Sequence, residues 1–174
     1  MGLFNVLNGR IGYFNSIAVP VYNDISLKIR KSSNGAEELF FGLSLYPIAS
    51  KMIDLFFKPG PNSLIKTIKE YNQNDIRNLY AIFMIWVLHD FINFSNPDNK
   101  DELQDKLQNI LGLEKDKFNY YFKQFKHGSK SPIGLDKLWR ELIKIIHSLP
   151  DTQENYLVFT REFSKICREA YQKL

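Results

Sequence analysis

Residues 74–94 read NDIRNLYAIFMIWVLHDFINF, the longest strongly apolar segment of the chain. Asn74 or Asp75 can cap a helix at its start, because both side chains accept hydrogen bonds from free N–H groups. From Ile76 onward, apolar residues occupy nearly every face of a helical wheel. A helix that is apolar all round is buried inside a protein. We therefore predict a central helix at residues 74–94, surrounded by the other helices.

Amphipathic segments follow this stretch, with apolar residues recurring every three or four positions as in surface helices. Gly112, Gly128 and Pro150 are stop signals between them. Asp151 or Thr152 can cap the last helix, and Cys167 lies on its apolar stripe, so we expect the thiol to be buried. The predicted stripes cover residues 103–111, 118–125, 135–149 and 156–174.

The first 35 residues are compatible with two structures. Ile17, Val21, Ile25 and Ile29 are spaced four apart, as in a helix capped by Ser16. Pro20 is tolerated in the first turn of such a helix. The alternation of apolar and polar residues over 25–30, together with a turn at residues 8–9, would instead suit a short β-hairpin. We favour the helix.

Two further helices are expected between this region and the central one. Residues 36–57 are apolar enough for a long helix, which Pro47 must kink or split. A short amphipathic helix is predicted at residues 63–71, after the breaker at residues 58–61. The predicted fold is all-α: one domain spanning residues 1–174, a compact bundle of seven or eight helices around residues 74–94.

Composition excludes several classes of protein. With 174 residues, 44% hydrophobic and 24% charged, the chain is an ordinary globular protein rather than a disordered tail. The single cysteine, Cys167, excludes an internal disulfide framework and a thiolate zinc site. The run from Leu79 to Leu88 is about half of the ~20 apolar residues needed to cross a bilayer. We expect a cytoplasmic protein without a membrane span.

The dipeptide His89-Asp90 is the one motif that suggests catalysis. It resembles the doublet of the metal-dependent HD phosphohydrolases, in which both residues bind a metal from a helix. That family needs another histidine earlier in the chain, and residues 1–88 contain none. We therefore expect no metal at His89, and a hydrogen bond from its ring to a backbone carbonyl or to Asn93.

Other catalytic signatures are missing from the sequence. There is no Gly-x-Ser-x-Gly nucleophile elbow, no glycine-rich phosphate loop and no His-Glu-x-x-His zinc motif. Nothing in the sequence calls for a cofactor. We therefore favour a protein that is not an enzyme, while a site assembled from residues distant in sequence stays open.

The leading functional hypothesis rests on a basic segment in the last third of the chain. Between Lys117 and Lys137, Asp136 is the only acidic residue. On a helix over residues 115–127, Tyr120, Lys123 and His127 point away from the apolar face, and Lys126 and Lys130 extend this stripe. Tyrosine is enriched at interfaces. We predict that these five residues bind another macromolecule: a protein in the first instance, a nucleic acid in the second.

Two alternatives remain open. The stripe can simply be a solvated helix face with an incidental tyrosine. The chain is also rich in aromatic residues, with 14 Phe, 9 Tyr and 2 Trp. Many of them fall in residues 37–57 and 79–94, which suits a helical module holding a small hydrophobic ligand or a haem in an aromatic pocket.

Overall fold

The computed structural model describes residues 3–58, 64–65 and 68–173, and every regular element within them is helical. A π-helical turn, Phe41–Leu45, joins α2 to α3 without a break, so the eight α-helices of the described residues form seven rods. The all-α prediction is confirmed. The helices are α1 (Leu3–Ser32), α2 (Gly35–Phe40), α3 (Tyr46–Phe57), α4 (Gln73–Ser95), α5 (Lys100–Leu111), α6 (Lys115–Gln124), α7 (Pro132–Ile145) and α8 (Gln153–Tyr171).

Helix α4 is the predicted central helix. Every residue from Leu79 to Asp90 is buried, and α1, α3, α5, α6 and α7 all pack against it. Its cap lies slightly earlier than predicted. Asn72 accepts hydrogen bonds from the backbone N–H groups of Asn74 and Asp75, and the Asp75 carboxylate accepts one from the N–H of Asn72. This reciprocal capping box satisfies the free N–H groups of the first turn.

The N-terminal region is one long helix over Leu3–Ser32, so the hairpin alternative is wrong for these residues. Ser16 is not a cap, because its hydroxyl donates to the carbonyl of Tyr13 within the helix. Pro20 therefore lies in the helix interior, where it cannot donate to the carbonyl of Ser16. Both residues are exposed, so water can hydrate that carbonyl. Ile17, Val21, Ile25 and Ile29 are buried, as the helical spacing predicts.

Pro47 affects the rod Gly35–Phe57 through a change of helix type. The N–H of Tyr46 donates to the carbonyl of Phe41, five residues back, which defines the π-helical turn just before the proline. This wider turn accommodates a residue that has no N–H to donate. By length and composition the rod could cross a membrane, but half of its most apolar window is buried inside the bundle. A core helix passes the same test.

Two other predicted boundaries are corrected. In the segment 63–71, residues 64–65 and 68–71 are not helical, and the remaining positions lie outside the described residues. Helix α7 ends at Ile145 rather than at residue 149. The backbone N–H of Ser148 donates to the hydroxyl of Tyr71, and this long-range bond accompanies a turn in place of the last helical turn.

Candidate functional site

The five residues predicted to bind a partner are all exposed, but only Tyr120 and Lys123 lie on α6. The prediction of a helix reaching His127 is wrong, because α6 ends at Gln124. His127 lies in the following turn, and Gly128 adopts a left-handed backbone with φ of +48°, which ends any helical continuation. On the opposite face, Phe118, Tyr121 and Phe125 are buried and Phe122 is half-buried, as predicted.

Tyr120 does more than present a ring to solvent. Its hydroxyl donates to a carboxylate oxygen of Glu141 at 3.0 Å, and Lys144 donates to the same hydroxyl at 3.4 Å. Glu141 is buried, and its other partner is the ammonium of Lys144 at 2.7 Å. Hydrogen bonding to Glu141 raises the pKa of Lys144. Tyr120 therefore holds α6 against α7, a contact that its position on the outer face of α6 did not reveal.

The lysines of this region differ in whether their charge is compensated. Arg140 and Lys144 form ion pairs with Asp136 and Glu141. Within the described parts of the chain, by contrast, no ion pair involves the four lysines between Tyr120 and Trp139; these are Lys123, Lys126, Lys130 and Lys137.

Two apolar side chains are exposed beside these lysines. Phe94, at the end of α4, is 68% exposed, and the ammonium of Lys130 lies 5.8 Å from the centre of its ring. Ile133, at the start of α7, is also exposed, and with Tyr120 it lines a groove of about 710 Å³ between α6 and α7. We call Tyr120, Lys123, Lys126, His127, Lys130, Phe94 and Ile133 together the basic surface.

Sequence reasoning missed the exposed phenylalanine of this surface. The prediction places all of residues 74–94 in the buried helix, whereas Phe94 lies in its last turn and is exposed. The sequence does contain a signal. Asn96 and Pro97 follow Ser95, and a chain that must leave its helix there is near the edge of the core.

A second site centres on Asp90, which is buried although it is charged. One carboxylate oxygen accepts hydrogen bonds from the backbone N–H of Ser129, at 3.0 Å, and from the Ser129 hydroxyl. The other oxygen accepts from the hydroxyl of Tyr171 at 3.1 Å. Asp90 thus connects α4 to the 3-10 turn Gly128–Lys130 and to the end of α8. No basic side chain of the described residues lies within ion-pair distance of it.

A cavity of about 430 Å³ adjoins this carboxylate. Its walls include Trp86, Phe163, Leu135 and the thiol-bearing Cys167. The prediction that Cys167 is buried is confirmed, and burial raises the pKa of its thiol, with the nearby Asp90 charge adding to the effect. The indole N–H of Trp86 is buried and has no hydrogen-bond partner among the described groups.

His89 and Asp90 are neighbours in sequence but belong to different surroundings. The ring of His89 stacks on Phe122, with the ring centres 4.1 Å apart, and burial lowers its pKa. The Nδ1 atom of His89 is buried without a hydrogen-bond partner among the described groups, and the Asn93 amide donates to the carbonyl of Lys126. Within the described ranges, no group of three or more His, Cys, Asp or Glu side chains could hold a metal ion.

Comparison with protein-family models, with curated proteins and with solved structures finds no match for this chain. Any functional assignment must therefore start from the two sites described above.

Proposed function

We propose that this protein binds an acidic segment of another protein through the basic surface. The observation that carries this proposal is the cluster of exposed lysines that have no ion-pair partner among the described residues, beside exposed Phe94, Tyr120 and Ile133. Uncompensated positive charge attracts an acidic partner and speeds its association. The exposed aromatic and apolar side chains supply contact area that can be removed from water on binding.

The groove between α6 and α7 favours a protein over a nucleic acid as the partner. The carboxylates of Asp136 and Glu141 line this groove, so anionic groups of any partner would bind the lysines outside it, and the groove itself suits an apolar side chain. Arg140 and Lys144 are already paired with these carboxylates. An acidic peptide can place its carboxylates on the free lysines and an apolar side chain in the groove, beside Ile133. The proposed partner is therefore an amphipathic segment that carries both acidic and apolar residues.

The test uses a fluorescently labelled amphipathic peptide of glutamate and leucine, with binding measured by fluorescence anisotropy at low and moderate salt. Changing Lys123, Lys126 and Lys130 together to glutamine should weaken binding about tenfold, because charged contacts supply much of the attraction. Phe94→Ala should weaken it independently of salt, since this substitution removes apolar contact area and no charge.

A matched control keeps the net charge the same as in the triple variant. Lys31, Lys100 and Lys165 are exposed lysines on α1, α5 and α8, and changing all three to glutamine should alter binding less than about twofold. Equal losses in both triple variants would show that only net charge matters. Tighter binding of a single-stranded oligonucleotide than of the peptide would contradict the choice of a protein partner.

A further inference from the structure

We propose that the cavity beside Asp90 binds a small organic ammonium ion, with the ammonium against the carboxylate and the apolar body against the aromatic wall. This site is separate from the basic surface, because none of the five predicted partner-binding residues lines the cavity.

The charge of Asp90 is the first argument. Three hydrogen bonds, from Ser129 and Tyr171, satisfy its oxygens but leave a full negative charge inside the protein. A buried charge is costly unless an opposite charge accompanies it. Since the part of the chain that the structure describes supplies no cation within ion-pair distance, a cation entering the cavity would provide that compensation.

The cavity wall is the second argument. Trp86 and Phe163 contact each other edge to face, with ring centres 5.0 Å apart, and both line the cavity together with Tyr171. The faces of aromatic rings attract cations, tryptophan most strongly. Leu135 and Cys167 extend the apolar part of the lining, to which Ser164 and Gln172 add polar side chains. Aromatic rings around a buried carboxylate form a site that favours an ammonium over a metal ion, which would need more oxygen or nitrogen ligands.

The volume of the cavity and the charge of Arg168 restrict the class of ligand further. A volume of about 430 Å³ falls within the range of small-molecule sites. Arg168, which is exposed on α8, also lines the cavity, and its repulsion of a cationic ligand grows with each positive charge that the ligand carries. The ligand class is thus a monovalent ammonium bearing one aromatic ring or a branched alkyl group.

The experiment compares three probes of nearly the same shape by isothermal titration calorimetry at neutral pH: benzylammonium, benzyl alcohol and benzoate. Benzylammonium should bind at least about tenfold more tightly than benzyl alcohol, because only the cation pairs with Asp90. Asp90→Asn should abolish this difference and leave the weak binding of benzyl alcohol unchanged. Equal binding of all three probes, preference for benzoate, or no saturable binding of benzylammonium would overturn the proposal.

Asp90→Asn can also disturb folding, since Asp90 holds the turn at Ser129. Two further measurements therefore use other residues. Ser164→Trp places a large side chain at the exposed rim of the cavity and should reduce benzylammonium binding about tenfold. Ser95→Trp, at an exposed position away from the cavity lining, is its control and should bind normally.

Cys167 supplies an independent readout as the only cysteine of the chain. Bound benzylammonium should slow alkylation of its thiol, because Cys167 lines the same cavity. Binding with unchanged alkylation, or binding unaffected by Ser164→Trp, would place the ligand elsewhere and refute the site. The glutamine variants of the basic surface should still bind benzylammonium, so the failure of one proposal is distinguishable from the failure of the other.

Discussion

Replacing Gly134 by alanine should destabilise the protein strongly, although alanine is the better helix former. Gly134 lies in the first turn of α7, where the helix meets the turn at Gly128. A Cβ atom at this position would stand 1.7 Å from the carbonyl oxygen of Gly128 and 2.8 Å from its carbonyl carbon. Both are backbone atoms, which cannot rotate away as a side chain could. Helix α7 and the turn would have to move apart.

The expected loss in the free energy of unfolding of Gly134→Ala is the difference between two opposing effects. Overpacking a filled region costs about 1–3 kcal/mol, and a clash between backbone and Cβ belongs at the upper end of that range. The higher helix propensity of alanine relative to glycine stabilises the helix by about 1 kcal/mol. The expected net loss is about 2 kcal/mol, which lowers Tm by about 4–8 °C in a chain of this length.

Gly12→Ala is the matched control, because it makes the same chemical change inside α1. No neighbouring atom lies within 4 Å of the added Cβ there. Only the propensity effect remains, so this variant should gain about 0.5–1 kcal/mol of stability.

Urea unfolding of the two variants and the parent, followed by far-UV circular dichroism, should move the midpoints in opposite directions. A Gly134→Ala protein as stable as the parent would refute the close approach of α7 to Gly128. Destabilisation by Gly12→Ala would refute the open surroundings assigned to α1.

Three further predictions concern titrating groups. Because burial raises the pKa of the Cys167 thiol, a polar thiol reagent should label native protein slowly, and rapid labelling at neutral pH would contradict the burial. Burial raises the pKa of Asp24, but hydrogen bonds from Arg77 and Lys28 outweigh this effect and hold the pKa below 3.8. The resulting contribution to folding stability is present above about pH 4 and is lost at lower pH. Asp24→Asn should therefore make the urea midpoint less dependent on pH in the acidic range. Burial lowers the pKa of His89 below 6.5, so the midpoint of its NMR titration should lie below that value. Folding stability should fall as the pH drops through 6.5, because the histidine takes up its proton at a higher pH in the unfolded chain than in the folded one.

The sequence by itself determined the secondary structure of most of the chain and the identity of its core. The apolar stretch 74–94 had to become the central helix, since an all-apolar helix has no face that water can cover. Helical spacing likewise predicts that Cys167 and the stripe of isoleucines and valine in α1 are buried, and the structure shows them buried. These features depend on spacing within a few turns, which sequence reports directly.

The sequence predicts the ends of helices less well, because contacts with residues far away in the chain determine where a helix stops. Tyr71 bonds to Ser148 just after α7 has ended, and the two residues are 77 positions apart. Phe94 likewise belongs to the apolar stretch 74–94 and is nevertheless 68% exposed, which spacing within the helix does not predict.

Only the tertiary structure separated His89 from Asp90. In sequence they form one doublet, yet the histidine stacks on α6 while the carboxylate receives hydrogen bonds from Ser129 and Tyr171. Successive residues on a helix point about 100° apart, so their surroundings depend on which helices pack on each side. The fold likewise placed Phe94 beside Lys130 and tied Tyr120 to Glu141. Each of these sites joins residues far apart along the chain, and local periodicity cannot predict such long-range contacts.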